Sequence, residues 1–303
     1  MKVLVTGKGG QLAYELSQTL PEGVELVSFS AQELDITDRE AVIARFEEVQ
    51  PDVVINAAAY TAVDKAESDQ KMAYAVNESG AENLALACRQ WSAKLVHIST
   101  DFVFDGRSTT PYQPEDAPNP LNVYGASKLA GDNKVSEVLG QNAVIVRTAW
   151  VYSCFGNNFV KTMIRLMAEK EQLGIIYDQV GTPTWAKGLA QLSWRLAEQL
   201  ASGNLPREEV PEHQALMLHW TDAGVASWFD FAVAIQELAL EKGLLDKSIP
   251  VRPIPASAYP TPAKRPAFSV IDKSLTETTT GKCTIHWRAQ LSNMLDELKA
   301  LSL

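Results

Sequence analysis

Tyr124 and Lys128 stand four residues apart in Tyr124-Gly125-Ala126-Ser127-Lys128, downstream of a strand-like run that ends in Ser99-Thr100-Asp101-Phe102. Residues at that spacing share one face of a helix, so a phenol and an ammonium would project together into one cleft. A neighbouring cation favours phenolate, which predicts a phenol pKa drawn down from about 10 towards working pH and ready to exchange a proton with a substrate oxygen. The Thr100 hydroxyl adds a hydrogen bond for the same oxygen. Such a short motif arises often by chance, but of the 8 tyrosines only Tyr124 has a lysine four residues on.

The elements that must position these groups begin at the N-terminus. Lys2 to Thr6 reads as a buried strand running into Gly7-Lys8-Gly9-Gly10-Gln11-Leu12-Ala13 and an amphipathic helix to about Leu20. Glycines at such a turn let backbone N–H groups approach a pyrophosphate at the positive end of the helix, so Gly7, Gly10, Gln11 and Leu12 are expected to touch a dinucleotide. Val24 to Phe29 forms the second strand, and in this class of fold the residue closing it meets the adenosine ribose. Ser28, Phe29 and Ser30 supply no carboxylate to repel a 2′-phosphate, which favours NADPH and leaves NADH as the alternative, with Ser30 at the ribose. Asp35-Ile36 offers an acceptor and an apolar wall for adenine, or is a turn aspartate. Thr37-Asp38-Arg39-Glu40 reads as a capping box opening the next helix. Val53 to Ala59 makes a third strand, where Ala57, Ala58 and Ala59 leave room for a cofactor, and Lys94 to Ser99 a fourth that delivers Thr100 to the carboxyl end of the sheet.

Asp105 to Asn119 reads as a long binding loop, Tyr124 starts the helix after it, and Ala143 to Arg147 is the fifth strand. Trp150 is either core packing or a flat wall for a sugar or ring. From about residue 151 the elements shorten, which predicts a Rossmann-type doubly wound parallel sheet over 1–150 and a smaller α/β substrate lobe over 151–303. Helices near Ala186 to Leu200 and Ser227 to Glu241 are candidates to pack back on the first lobe. Tyr259 to Pro266 is a proline-stiffened loop carrying Lys264 and Arg265. Its arginine suits a diphosphate, which a guanidinium binds bidentately, and a solvated charged loop is the other reading.

At 303 residues, with 46% hydrophobic and 21% charged residues and no apolar run long enough to span a bilayer, the chain reads as a globular protein with no export or anchoring signal. A net charge of -10 disfavours nucleic acid and anionic membranes as partners. Cys88, Cys154 and Cys283 form no Cys-x-x-Cys spacing, which suits a reducing cytoplasm. The 4 histidines are scattered, His97 reads as a packed core residue, and no metal site can be assembled.

Several stretches together resemble the dTDP-4-dehydrorhamnose reductase family of extended short-chain dehydrogenases over nearly the full length. They are Gly7-Lys8-x-Gly10-Gln11-Leu12, Asn56 through Glu67, Ser99-Thr100-Asp101, Pro120 through Lys128, Arg147-Thr148-x-Trp150-Val151-Tyr152, Gly156 through Phe159, Asp178 through Thr184 and Tyr259 through Pro266. The resemblance implies a Rossmann domain with a sugar-nucleotide lobe, making dTDP-L-rhamnose for cell-surface polysaccharide. Thr100, Tyr124 and Lys128 would be catalytic, with Tyr124 and Lys128 also at the nicotinamide ribose, and Val63, Asp64, Thr100, Trp150 and Arg265 would hold the dTDP-keto-sugar. Some members of the family dimerise through a metal held by carboxylates; a homodimer is therefore an open expectation, but no complete carboxylate set matches here. Phe102 replaces the family's usual tyrosine and Ala149 a common serine. Two alternatives remain. A sibling epimerase or dehydratase would keep its nicotinamide bound, and a dehydratase would need an acidic pair after Thr100, where Phe102 follows Asp101. A non-catalytic subunit, like the methionine adenosyltransferase beta subunit that resembles these reductases, would not need the catalytic trio.

Overall fold

A computed structural model describes residues 1–206 and 210–301. The main sheet has 6 strands in the order β6-β5-β4-β3-β1-β2. They are β1 (Lys2–Thr6), β2 (Glu25–Phe29), β3 (Val53–Asn56), β4 (Lys94–Thr100), β5 (Ala143–Thr148) and β6 (Leu216–Trp220), and every pairing is parallel. Parallel strands are covered on both faces, which is why these segments read as near-continuous apolar runs. Alternate side chains enter opposite layers. Val3, Val5, Val53, Ile55, Val144 and Val146 point to one core, beneath α1 (Gln11–Gln18) and α6 (Ala186–Ser202). Leu4, Val54, Leu95 and Ile145 point to the other, beneath α2 (Arg39–Val49), α3 (Gly80–Trp91) and α4 (Val123–Leu139). Complete burial of side chains such as Phe46 and Trp220 stabilises the fold by roughly 2 to 3 kcal/mol each.

β6 is absent from the strands expected from sequence, and it joins the main sheet beside β5 from far beyond residue 150. Helix α6 packs on α1 and on β3 and β4, whereas the main packing of α7 (Trp228–Glu241) is away from the sheet. It lies instead in a separate core with α5 (Phe159–Glu169) and α8 (Trp287–Leu301). Short strand pairs complete that second layer, among them Leu173–Ile176 beside Val251–Ile254 and Val180–Gly181 beside Ala226–Ser227. The capping expectation also changes: Asp38, not Thr37, caps α2, accepting from the Glu40 and Ala41 amides at 3.0 and 3.1 Å. Thr37 is instead turned onto Asp35 Oδ1, so the capping role falls to the carboxylate one residue later. No helix among the described residues is long and apolar enough to cross a membrane.

Candidate active site

The strand order reverses between β1 and β3, and in open parallel sheets ligands bind outside the carboxyl ends at such a point. A cleft of about 840 Å³ opens there. One end is a glycine cradle. Gly7 has φ +78°, and a Cβ added to it would sit 2.8 Å from the Ala57 carbonyl carbon and 2.9 Å from Ala58 N. Thr6 Oγ1 fixes that approach by donating to Asn56 Oδ1 at 2.7 Å and accepting from Ala58 N at 3.2 Å. Helix α1 begins at Gly10 without a side-chain cap, so its first amides are free to face an anion. The cradle leaves backbone amides and small residues where a pyrophosphate needs them, and the chain fits a nicotinamide dinucleotide.

Gly7, Gly10, Gln11, Leu12, Asp35 and Ile36 all line this cleft, as do Ala57, Ala58 and Ala59. Ser30 does not; its backbone amide is taken by Glu33 Oε2 at 2.8 Å. Thr100, Tyr124 and Lys128 line the same cleft, as do Val63, Trp150 and Arg265.

Helix α4 is fixed at its start from three directions. Asn122 Oδ1 accepts from Gly125 N at 2.8 Å, Glu67 Oε1 accepts from Val123 N at 2.8 Å, and Asn122 Nδ2 donates to the Lys264 carbonyl at 2.8 Å. Deeper along the helix, Ser127 Oγ accepts from Asn77 Nδ2 at 2.9 Å, and Asn77 Oδ1 in turn accepts from Tyr60 N at 2.8 Å, tying α4 to the segment that follows β3. Tyr124 is half-buried, its ring meeting Phe102 edge-on at 5.7 Å.

The electrostatics differ from the sequence expectation. Desolvation pushes the Tyr124 hydroxyl up to about 12, opposed by its hydrogen bond with Thr100 and reinforced by the Asp101 and Asp132 charges. Lys128 does not depress it. That lysine is 2% exposed, donates to the Ile98 carbonyl at 2.6 Å, and is itself lowered to about 8 by burial. The physical reason is that burial in a low-dielectric wall disfavours the charged form of each group. His97 is buried as expected, yet it is a network residue. Its Nδ1 lies 3.0 Å from Asn56 Nδ2, and its Nε2 is 3.5 Å from both Lys128 Nζ and Asp132 Oδ1. Since Asn56 Oδ1 is occupied by Thr6, Asn56 Nδ2 donates to His97, and the neutral ring carries its proton on Nε2. Asp132 also accepts from Ser99 Oγ at 2.7 Å and stands 3.8 Å from Arg147 Nε.

Asp64 is placed differently from the expectation that it meets the sugar: it lies outside the cleft lining and grips Arg265 through two hydrogen bonds, 3.0 and 2.8 Å long. Arg265 holds the Asp64 carboxyl below its usual value, and Ala263 N adds a third contact at 3.1 Å. Trp150 packs against a second-lobe ring and also borders the cleft. It lines the cleft at φ +47° and stacks on Trp228 with centroids 3.5 Å apart. Gln179, Trp228 and Ser269 also line the cleft and were not singled out: Gln179 stands in the Asp178 to Thr184 stretch without a role of its own, and Trp228 and Ser269 come from second-lobe segments with no local motif. Asp101 lines it too, its carboxyl pushed up to about 6 by burial against hydrogen bonds from Ser269 and Thr100. Among the described residues no group of three or more His, Cys, Asp or Glu could hold a metal ion.

Moving a hydride to or from an oxygen-bearing carbon requires a dinucleotide laid along a sheet edge and a proton donor beside the carbon; this fold and cleft define a Rossmann-type NAD(P)-dependent oxidoreductase. The model of the RmlD substrate binding domain matches residues 1–300, and the chain belongs to that family. A dTDP-4-dehydrorhamnose reductase from Burkholderia thailandensis is 40% identical over 290 residues, 95% of this chain and 96% of that protein. The solved dTDP-4-dehydrorhamnose reductase of Clostridium acetobutylicum is similar at a TM-score of 0.89 and 40% identity, covering 99% of this chain and 100% of that one. Another from Bacillus anthracis, solved in complex with NADP, has a TM-score of 0.87 at 34% identity, covering 98% and 99%.

Proposed function

We propose that this protein reduces the 4-keto group of dTDP-4-dehydrorhamnose, giving dTDP-L-rhamnose, with NADPH as the reductant and NADH as a second donor. The observation that carries the reading is the convergence of Thr100, Tyr124 and Lys128 on the cleft that also holds the glycine cradle. When bound, the nicotinamide supplies the hydride that adds to C4 of the sugar. Tyr124 gives its phenolic proton to the C4 oxygen as the C–H bond forms, and a phenol kept protonated by burial is in the form an acid must have. Thr100 hydrogen-bonds the same oxygen and Lys128, anchored on Ile98, faces the nicotinamide ribose. Val63 and the Trp150–Trp228 stack wall the sugar and base, and Arg265, oriented by Asp64, takes the diphosphate.

In this reading the dinucleotide unit comprises the first 150 residues with α6 and β6 added, and the remainder binds the sugar nucleotide. A homodimer in the cytoplasm fits the reading without being required by it. The deciding assay mixes dTDP-4-dehydrorhamnose with NADPH and follows cofactor absorbance alongside product. Stoichiometric oxidation with formation of dTDP-rhamnose supports the proposal. Turnover of a nucleotide sugar with no net loss of NADPH would instead indicate an epimerase or dehydratase.

A further inference from the structure

The adenosine end of the cleft holds an ion pair that the local sequence conceals. β2 closes on Phe29 and Ser30 without a carboxylate, but the chain turns back at once, Glu33 N and Leu34 N bonding the Ser30 carbonyl at 3.1 and 2.9 Å. That turn returns the Glu33 side chain to the strand end, where Oε2 accepts from Ser30 N at 2.8 Å. Lys8, from the glycine turn, reaches across to the same carboxylate, its Nζ 3.2 and 3.3 Å from the two oxygens. The glycine turn is itself stitched to β2 there, Lys8 N donating to the Phe29 carbonyl at 2.9 Å. Lys8, Ala31 and Leu34 all line the cleft at this point, and the Lys8 and Glu33 side chains are 51% and 45% exposed, so both can move.

An ammonium and a backbone amide outside the sheet ladder at the end of the second strand, beside the glycine turn, are the donors a ribose 2′-phosphate would take. A carboxylate now satisfies both. We infer that Glu33 sets the cofactor selectivity of this cleft, holding Lys8 and Ser30 N in the dinucleotide-free protein and having to swing aside for a 2′-phosphate. With the unphosphorylated dinucleotide it stays in place and accepts from the ribose 2′-hydroxyl. The inference rests on the reading that the cleft binds a nicotinamide dinucleotide, and it adds a residue 23 positions beyond Gly10 that would set the balance between the two forms. Its Ser30 and Lys8 partners hold the Glu33 carboxyl down at about 2, so it is ionised and competes with phosphate throughout the working pH range.

Binding, not turnover, is the test. The full chain is titrated calorimetrically with NADP⁺ and with NAD⁺ in the absence of sugar nucleotide, as wild type, Glu33→Gln, Lys8→Met and the double variant. Glutamine keeps an acceptor for Ser30 N but removes the charge that a 2′-phosphate must displace. Glu33→Gln is expected to tighten NADP⁺ relative to NAD⁺ by about fivefold, the upper scale of the exposed ion pair with Lys8 that a 2′-phosphate otherwise has to break. In the Lys8→Met background the same change should shift the ratio by less than half as much on a logarithmic scale, because the displaced carboxylate no longer releases a cation. A ratio unchanged by Glu33→Gln, or shifted equally with and without Lys8, overturns the inference. Wild-type protein that binds neither dinucleotide overturns the cofactor reading and this inference with it. Both side chains are on the surface, so circular dichroism should show the variants folded.

Discussion

Lys128 Nζ donates to the backbone carbonyl oxygen of Ile98 at 2.6 Å, inside a wall where the lysine is 2% exposed. Burial, not that bond, keeps the proton on the Tyr124 phenol, so in the proposed reaction a loaded acid would work beside a cation that is held in place. The first consequence concerns the acid. Tyr124→Phe should bind NADPH with wild-type affinity, measured by titration, and lose at least about a hundredfold in kcat, the range of a removed general acid. Turnover close to wild type would remove Tyr124 from the chemistry.

Lys128 has its folded pKa lowered from 10.5 to about 8. Below the folded value both states are protonated and the full cost of burying the ammonium opposes folding. Between the two values the folded state has lost its proton while the unfolded chain keeps it, so the unfolded state binds more protons and stability rises with pH. Lys128→Met has no such group. Urea denaturation should therefore show wild type gaining on the variant by about 2 to 3 kcal/mol from near pH 7 to above pH 10, while the variant lacks reductase activity throughout. A stability difference that is flat with pH would show that the amine is not desolvated.

Asp64 aims Arg265 without lining the cleft. Asp64→Asn keeps the shape but loses the charge-assisted fork, so Arg265 should wander. The Michaelis constant for the sugar nucleotide is expected to rise about tenfold with kcat within about twofold, the pattern of lost binding shared by ground and transition states. Steady-state kinetics at saturating NADPH measures the split; a fall in kcat alone would contradict it.

Gly125 follows the acid directly, and a Cβ there would stand 2.1 Å from the Phe102 carbonyl oxygen. Because that oxygen belongs to backbone, the start of α4 must give way. Gly125→Ala should lower the melting temperature and cut kcat by at least about tenfold, since displacement of a reacting group by about 1 Å can cost a hundredfold. Crystallography of the variant would show whether Tyr124 has moved away from Thr100.

Much of the site was legible because it is built from local rules. The strand, glycine turn and helix at Lys2 to Gln18 follow from apolar run, positive-φ glycine and period, and Tyr124 and Lys128 share a face because four residues make about one helical turn. The Thr100 strand end is a matter of where an apolar run stops. What misled was charge. From spacing alone a lysine four residues from a tyrosine looks like its activator, yet burial raises the phenol and lowers the amine.

The sequence by itself determined the alternation of strands and helices, the glycine cradle and the shared face of Tyr124 and Lys128, since each depends on residues within a few positions of one another. Only the tertiary structure decided which distant groups face each other: β6 beside β5, Asp64 on Arg265, His97 between Asn56 and Asp132, Glu33 on Lys8. Such pairings have no periodicity to read. They arise where chain closure brings separate elements within a few ångströms, and there desolvation and hydrogen bonding, not spacing, set the charge on each group.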